Sequence, residues 1–191
     1  MNTIMKSSNG INLIPIDTRL LSQRKVYIDG VITAESACAF DKAIRFLITE
    51  DAAAPIDIYV SSPGGEVNAG MHIYDLLKLL PCEVNLHCRG IAASMAASIV
   101  ASGKKGHRFI LPHSKMMIHE PLIDGGIGGS ATSIQRTAES IMETKRILVS
   151  CLARDTGRSE SEVEAASAYD NYMNAEQAIA FGLCDSIDTS I

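Results

Sequence analysis

A serine surrounded by small residues is the first candidate for chemistry in this chain. Ser94 lies in the sequence GIAASMA at residues 90–96 and is predicted to begin a helix. Free backbone N–H groups and the helix dipole favour a negative charge at such a place. A serine nucleophile needs an adjacent base, and it needs donors for the oxyanion that forms as it attacks a carbonyl. A plain serine at the start of a helix explains the pattern equally well. Ser98, one turn later, is expected to point away from the edge of the sheet and into packing or solvent.

A histidine at the end of a predicted strand is the candidate base. His119 is followed by Glu120 and Pro121, and the proline favours an extended conformation at Glu120. Histidine is the side chain best suited to take and return a proton near neutral pH. Four other histidines lie beside no chemically suggestive motif: His72, His87, His107 and His113. Because a lone histidine is usually structural, the pattern alone leaves the role of His119 open.

A double glycine and a set of carboxylates complete the candidates. Gly64 and Gly65 permit backbone conformations closed to other residues and would let a substrate chain lie against them. Turn formation explains this Pro-Gly-Gly sequence equally well. Asp170 precedes a predicted capped helix, but 22 acidic residues compete for the role of orienting a histidine. The residues by themselves therefore offer a serine, a base and an oxyanion site, but no acid.

Strands that alternate with helices must position these residues. The predicted strands are residues 26–31, 56–61, 83–88, 107–111, 115–118 and 183–187. The predicted helices begin after Thr33, at residues 67, 93 and 131, and at Asn174. Gly90 is interpreted as opening the helix that begins at residue 93. This order favours right-handed βαβ crossovers and a largely parallel sheet. Because the three candidate segments all follow strands, we expect them at one edge of that sheet.

The length of the chain and its composition limit the classes of protein it can belong to. With 191 residues it is expected to form a single α/β domain, residues 1–191, with residues 1–15 as an irregular and mobile arm. A net charge of -5 argues against a nucleic-acid partner. No signal peptide and no membrane span are predicted, so a cytoplasmic protein is expected. Five cysteines without a C-x-x-C pair indicate reduced thiols, interpreted as small buried hydrophobic residues.

Two common motifs for cofactors and metals are incomplete in the sequence. Gly65 and Gly70 have the separation of the P-loop glycines, but Met71 and His72 stand where lysine and serine or threonine are required. No H-E-x-x-H sequence is present. The chain itself is therefore expected to bind neither ATP nor a metal.

A series of short motifs occurs in a fixed order along nearly the whole chain, from about residue 19 to residue 187. They are SPGG (62–65), AGM (69–71), IYD (73–75), AASM (92–95), LP (111–112), MIH (117–119), PL (121–122), DNYM (170–173), AE (175–176) and GL (182–183). Each motif is weak alone, but together they are specific. In this order they resemble the proteolytic component of the Clp protease, the ClpP family of serine peptidases.

The resemblance implies a fold and a set of roles. The fold would be the crotonase-like ClpP spiral of βαβ units with a protruding long helix. Ser94 would be the nucleophile, His119 the general base and then acid, and Asp170 the residue that holds the imidazole tautomer. The backbone N–H groups of Gly65 and Met95 would bind the oxyanion. A peptide would bind as an added extended strand.

The resemblance also implies substrate contacts and partners. Three residues would contact the substrate: Gly64, Glu66 and Ile123. Members of the family form seven-membered rings, usually stacked in pairs around a closed chamber, and the helix from Ala131, which follows a glycine-rich loop, would supply the contact between rings. A separate Clp-type ATPase unfoldase consumes ATP and feeds unfolded protein into the chamber.

The sequence departs from the family pattern at several positions. The departures are Asp57 in place of a tyrosine, Ile91 in place of glutamine, Ala96 in place of glycine, Glu120 in place of glutamine, Tyr169 in place of arginine, and the absence of an acid at residues 130–133. These leave two alternatives open. One is a divergent second subunit that is mainly structural or is active only in a mixed assembly. The other is a crotonase-type acyl-CoA enzyme, which would not need a serine nucleophile.

Overall fold

The computed structural model describes residues 1–7, 10–123, 125–126 and 128–189. Parts of the predicted arm (residues 8 and 9), of the glycine-rich loop (residues 124 and 127) and of the C-terminus (residues 190 and 191) lie outside the described residues. The prediction of an irregular N-terminal segment is wrong, because β1 (Asn2–Ser7) and β2 (Gly10–Pro15) form an antiparallel pair. A short helix, α1 (Ile16–Leu21), then leads into the main sheet.

Two βαβ units build the first half of the main sheet. They consist of β3 (Lys25–Asp29), α2 (Ala34–Glu50), β4 (Ile56–Ser62), α3 (Val67–Leu79) and β5 (Val84–Ala93). The three strands pair in parallel, in the order β3-β4-β5. Parallel strands joined by helices are the arrangement that the alternating pattern predicts.

The second half of the chain extends the sheet and covers it. It contains α4 (Met95–Ala101), β6 (Arg108–Ile110), β7 (Lys115–Ile118), α5 (Ala131–Thr156), α6 (Glu160–Ser167), β8 (Asn171–Met173), α7 (Ala175–Phe181) and β9 (Ser186–Ile187). The β5 strand pairs in parallel first with β6 and then, further along, with β7. The β8 strand alone in this sheet runs antiparallel, against β7, among the described residues. The result is a mixed α/β fold of the class that the sequence predicted.

The core lies between the sheet and the helices. In α2, Thr33 caps the N-terminus in a reciprocal capping box with Ser36. The apolar positions that follow at helical spacing are all buried: Ala37, Phe40, Ile44 and Leu47. Each large apolar side chain buried in this way contributes roughly 1.5–3 kcal/mol. The first half of α5, in contrast, is largely exposed, so this helix protrudes as expected.

The cysteines only partly follow the prediction. All five are free thiols, and Cys82, Cys88 and Cys184 are buried, but Cys38 is exposed. Burial raises the pKa of the Cys88 thiol to about 12.

Among the described residues, no helix is both long and apolar enough to cross a bilayer.

A buried arginine joins the ends of three helices behind the sheet. The guanidinium of Arg108 donates to the backbone carbonyls of Ala101, Asp155 and Gly182, at the C-termini of α4, α5 and α7. Its Nε also donates to the carboxylate of Asp185 at 2.9 Å. Helix C-termini carry unpaired carbonyls and a partial negative charge, so one cation stabilises all three.

Replacing Arg108 by methionine is expected to lower the free energy of unfolding by about 3–5 kcal/mol, because it leaves buried acceptors and Asp185 without their partner. Urea unfolding at matched protein concentration measures the change. Arg45→Met is the control, since Arg45 pairs with Asp41 at the surface and its loss should cost about 1 kcal/mol or less. A loss below 1 kcal/mol for Arg108→Met would contradict the proposed role of the arginine.

The pair of Arg108 and Asp185 also predicts that the stability of the protein depends on pH. Burial by itself would raise the pKa of Asp185, but hydrogen bonds and charge from Arg108, with the N–H of Gly106, lower it on balance. A carboxyl whose folded pKa is lowered stabilises the protein above its unfolded pKa, and this contribution is lost as the pH falls through the folded value. The stability difference between wild type and Arg108→Met should therefore narrow below about pH 4.

Candidate active site

The three segments singled out in the sequence meet at one edge of the sheet. Ser62 at the end of β4 is in register with Ala92 of β5, and Ala93 is in register with Met117 of β7. The backbone N–H of Ser94 donates to the carbonyl of Met117 at 2.8 Å. This confirms that the segments converge, since the carboxyl ends of parallel strands lie at the same edge.

Ser94 occupies a sharp turn between β5 and α4. The helix predicted from about residue 93 is present, but Gly90 does not open it: β5 continues through Ala93, and α4 begins at Met95. Ser94 has φ 55° and ψ -126°, a conformation that costs a side-chain-bearing residue about 1–3 kcal/mol. Strain of this kind is maintained by the surrounding packing, here the fully buried α4. The turn presents the Ser94 hydroxyl at the edge of the sheet.

His119 lies between Ser94 and Asp170. Its Nε2 is 2.8 Å from Oγ of Ser94, and its Nδ1 is 3.1 Å from Oδ1 of Asp170. The β8 strand brings Asp170 there, because Ile118 of β7 is in register with Asn171. The residues that follow Ile118 and precede Asn171 are therefore neighbours. The side chain of His119 is 16% exposed, whereas that of Asp170 is 59% exposed.

The two glycines form the opposite wall of the site. Both have positive φ, 92° at Gly64 and 155° at Gly65. A Cβ on Gly65 would lie 2.1 Å from the carbonyl oxygen of Ile32, and one on Gly64 would lie 2.6 Å from that of Ala93. A side chain on Gly64 would therefore collide with Ala93 and Ser94, and one on Gly65 would collide with the backbone of Ile32.

Two backbone donors are available beside Ser94. The N–H of Met95 is in the first turn of α4, where no intrahelical acceptor exists. Neither this N–H nor that of Gly65 donates to another described residue. The site of a Cβ on Gly64 is 3.2 Å from the nitrogen of Met95, so the two loops are in direct contact. The assignment of these two N–H groups as oxyanion donors stays a prediction, and the contact between the two loops is consistent with it.

A groove of about 820 Å³ runs from this edge between α3 and α5. Glu66 and Ile123, two of the three residues predicted to contact a substrate, line it. Gly64 does not, and its backbone groups are already used: its carbonyl accepts from Ile32 and its N–H donates to the hydroxyl of Ser62. A role for Gly64 in substrate binding would thus rest on close approach, without hydrogen bonds from these groups.

One ion pair beside the site was not identified from the sequence. Lys145 of α5 donates to Glu120 at 2.6 Å, and this hydrogen bond raises the pKa of the lysine. The N–H of Glu120 donates to the carbonyl of Ser167 in α6. These bonds connect the segment after His119 to two helices. The signal in the sequence was a lysine between Ile141 and Leu148, at a helical spacing that favours an apolar residue.

Ser98 also differs from its prediction. It is buried, as expected for packing, but it lines a small cavity together with Ser94 and His119.

No group of three or more potential metal ligands occurs in the part of the chain that the structure describes. A serine, a histidine and an aspartate in this order of hydrogen bonds, with nearby backbone donors, form the arrangement that serine hydrolases use.

Comparison with known proteins identifies the family. A family model described as Clp protease matches residues 8–190. The ATP-dependent Clp protease proteolytic subunit 2 of Chlamydia trachomatis serovar D is 42% identical over 184 residues, which cover 96% of this chain and 90% of that protein. Over the same shares, subunit 2 of Chlamydia muridarum is 41% identical and subunit 1 of Chlamydia felis is 40% identical. The chain belongs to the Clp protease family.

Proposed function

We propose that this chain is a serine endopeptidase that hydrolyses peptide bonds of unfolded proteins inside a ring-shaped chamber. The observation that carries the proposal is the hydrogen-bonded series from Ser94 through His119 to Asp170, with distances of 2.8 and 3.1 Å. Membership of a family whose relatives are named proteolytic subunits supports the same activity.

The geometry supports a two-step hydrolysis. The Oγ of Ser94 attacks the peptide carbonyl as Nε2 of His119 takes its proton, and the oxyanion is bound by the N–H groups of Gly65 and Met95. His119 then returns the proton to the leaving amine. Water attacks the acyl-enzyme by the same steps and releases Ser94. Asp170 accepts from Nδ1 and holds the tautomer in which Nε2 can receive the proton.

Assembly into a ring, stacked with a second ring, belongs to the same proposal. The protruding α5 carries exposed large apolar residues, Ile134, Met142 and Ile147, which would contact a neighbouring copy. The relatives are named subunits of an ATP-dependent protease. We infer that a Clp-type ATPase unfoldase supplies unfolded chains and consumes the ATP, and that this chain binds no cofactor itself.

The test measures the mass of the protein in solution, cleavage of a short fluorogenic peptide and labelling by a fluorophosphonate probe. The expected result is a ring-sized particle that cleaves the peptide and carries one probe adduct, located at Ser94 by mass spectrometry. An adduct at another residue would contradict the assignment of the nucleophile. Cleavage by a monomer would contradict the need for a ring.

A divergent subunit that is active only in a mixed assembly is the second candidate. Two departures from the family pattern favour it. Tyr169 stands before Asp170 where an arginine is usual and is 87% exposed, and the first turn of α5 carries no acidic residue. A third departure, Asp57 in place of a tyrosine, lies at the opposite end of the sheet. There it lines a polar pocket of about 420 Å³ and accepts a hydrogen bond from Asn85 near His87. If the protein takes the probe but cleaves no peptide alone, addition of a second Clp protease subunit should restore cleavage.

A further inference from the structure

The polar pocket of about 420 Å³ lies at the end of the sheet opposite the candidate active site. Its lining includes the carboxylates of Asp57 and Asp188 and the imidazole of His87. His87 stands in a row of stacked rings, with its centre 4.8 Å from that of Tyr59 and 5.1 Å from that of Phe109. Because the row fixes the plane of the imidazole, it also fixes where the two ring nitrogens point.

One ring nitrogen of His87 is paired and the other is not. Nδ1 lies 2.8 Å from Oδ2 of Asp188, and the same carboxylate oxygen is 3.5 Å from the guanidinium of Arg89. Since a carboxylate can only accept, Nδ1 carries the proton and Nε2 is an acceptor in the neutral ring. Nε2 is buried without a hydrogen-bond partner among the described residues, and the His87 side chain is only 7% exposed. A buried polar atom left unpaired in this way is costly, so Nε2 is suited to a donor from outside the chain.

The carboxylate of Asp57 faces the unpaired nitrogen. Its Oδ1 is 3.8 Å from Nε2 of His87, which is too far for a hydrogen bond. Asp57 accepts from the amide of Asn85 at 2.9 Å, but no lysine or arginine of the described residues forms an ion pair with it. Lys25, which lines the same pocket, instead has its Nζ over the ring of Tyr59, 5.8 Å from the centre. Two acceptors are therefore directed at one place that holds neither a donor nor a balancing charge.

We propose that this pocket binds a guanidinium group, as a free compound or as an arginine side chain, between His87 and Asp57. A guanidinium presents several N–H donors in one plane, so it can reach two acceptors that are 3.8 Å apart, each at about 2.9 Å. Its charge pairs with the carboxylate of Asp57, which is 35% exposed and can turn to admit it to Nε2. Phe109, also in the lining, offers a ring face on which the planar cation stacks. A neutral donor would satisfy Nε2 but leave the charge of Asp57 unbalanced.

Saturation-transfer NMR titrations with butylguanidinium test the site at about pH 8, where imidazole is ordinarily neutral. Wild type is expected to bind this probe saturably at millimolar concentration and to bind butylurea, its uncharged isostere, at least about tenfold more weakly. Asp57→Asn should weaken binding of butylguanidinium by a similar factor, about tenfold or more, because it removes the charge and keeps the shape. Glu66→Gln is the matched control, since Glu66 is an acid that lines the groove of the candidate active site, and its affinity should equal that of wild type.

His87→Phe tests the second acceptor, because it removes Nε2 and keeps a ring in the stacked row. Its affinity for butylguanidinium should fall by about 2–10-fold, the value of one neutral hydrogen bond. If this variant does not fold, the ¹⁵N shift of Nε2 in histidine-labelled wild type replaces it, and the shift should move on addition of butylguanidinium. A shift that stays unchanged at saturation contradicts the role of His87.

A capped glycine-arginine-glycine peptide, with citrulline in place of arginine as its control, identifies the source of the group. Binding of the arginine peptide assigns an arginine side chain of a partner, whereas binding of butylguanidinium alone assigns a small free compound. No saturable binding of either probe, equal binding of butylurea, or an unchanged affinity in Asp57→Asn overturns the proposal. Because every readout is binding, this outcome is independent of whether the protein cleaves peptides.

Discussion

Ser94→Ala is expected to lower kcat for a fluorogenic peptide by about 10⁵-fold or more. The substitution removes the only oxygen that lies 2.8 Å from Nε2 of His119 among the described residues. Without it no acyl-enzyme forms, and the remaining rate comes from the oxyanion donors and from substrate binding. Initial rates at saturating peptide, together with loss of the fluorophosphonate adduct, measure the effect.

The control for this substitution is Ser102→Ala. It removes a buried serine hydroxyl from the other end of the same helix, where the hydroxyl bonds to Ile99. Its kcat should stay within about twofold of wild type, although its stability falls by roughly 1 kcal/mol. If Ser94→Ala cleaves the peptide as fast as wild type, Ser94 is not the nucleophile. Equal losses in both variants would indicate damage to α4 and no specific role of Ser94.

Local signals in the sequence predicted the elements whose stability is local. Thr33 and the buried residues of α2 could be identified because capping and helical periodicity involve residues close in sequence. The capping box of Asn174 with Gln177, and the left-handed Gly157 at the end of α5, are local in the same sense. Convergence of the three active-site segments also followed, because it needs only the order of strands and the geometry of a parallel sheet.

The course of β5 could not be predicted in the same way. The strand was predicted to end at residue 88 and Gly90 to open the next helix, but in the structure Gly90 lies within β5, has φ 78° and donates its N–H to the hydroxyl of Ser114. Here β5 leaves β6, and residues Ile91 to Ala93 pair with β7 instead. The end of the strand is therefore set by contacts with residues more than twenty positions away, which outweigh local propensity.

Asp170 could not be assigned from the residues alone. It is positioned by β8, whose three residues are too short to show an alternating pattern. The pairing of β8 with β7 joins segments about fifty residues apart. The family resemblance named Asp170 because it uses the order of motifs along the chain, which local periodicity does not contain.

Asp170→Asn is expected to lower kcat by about 10³–10⁴-fold. The carboxylate can only accept from Nδ1 of His119, and so it fixes the proton on that nitrogen. An asparagine can donate its amide N–H to Nδ1, which leaves the proton on Nε2, where it prevents His119 from taking the proton of Ser94. Since Asp170 is 59% exposed, water can replace part of its function, and the loss should be smaller than for Ser94→Ala.

Separate measurement of kcat and KM distinguishes orientation of the histidine from substrate binding. KM should change by about twofold or less, because Asp170 contacts His119 and lines neither the groove nor the cavity. Glu176→Gln is the matched control, since Glu176 is an exposed acid in the first turn of the neighbouring α7 and should leave both constants unchanged. A loss of kcat below tenfold for Asp170→Asn would mean that another group, or solvent, orients His119 in the active assembly.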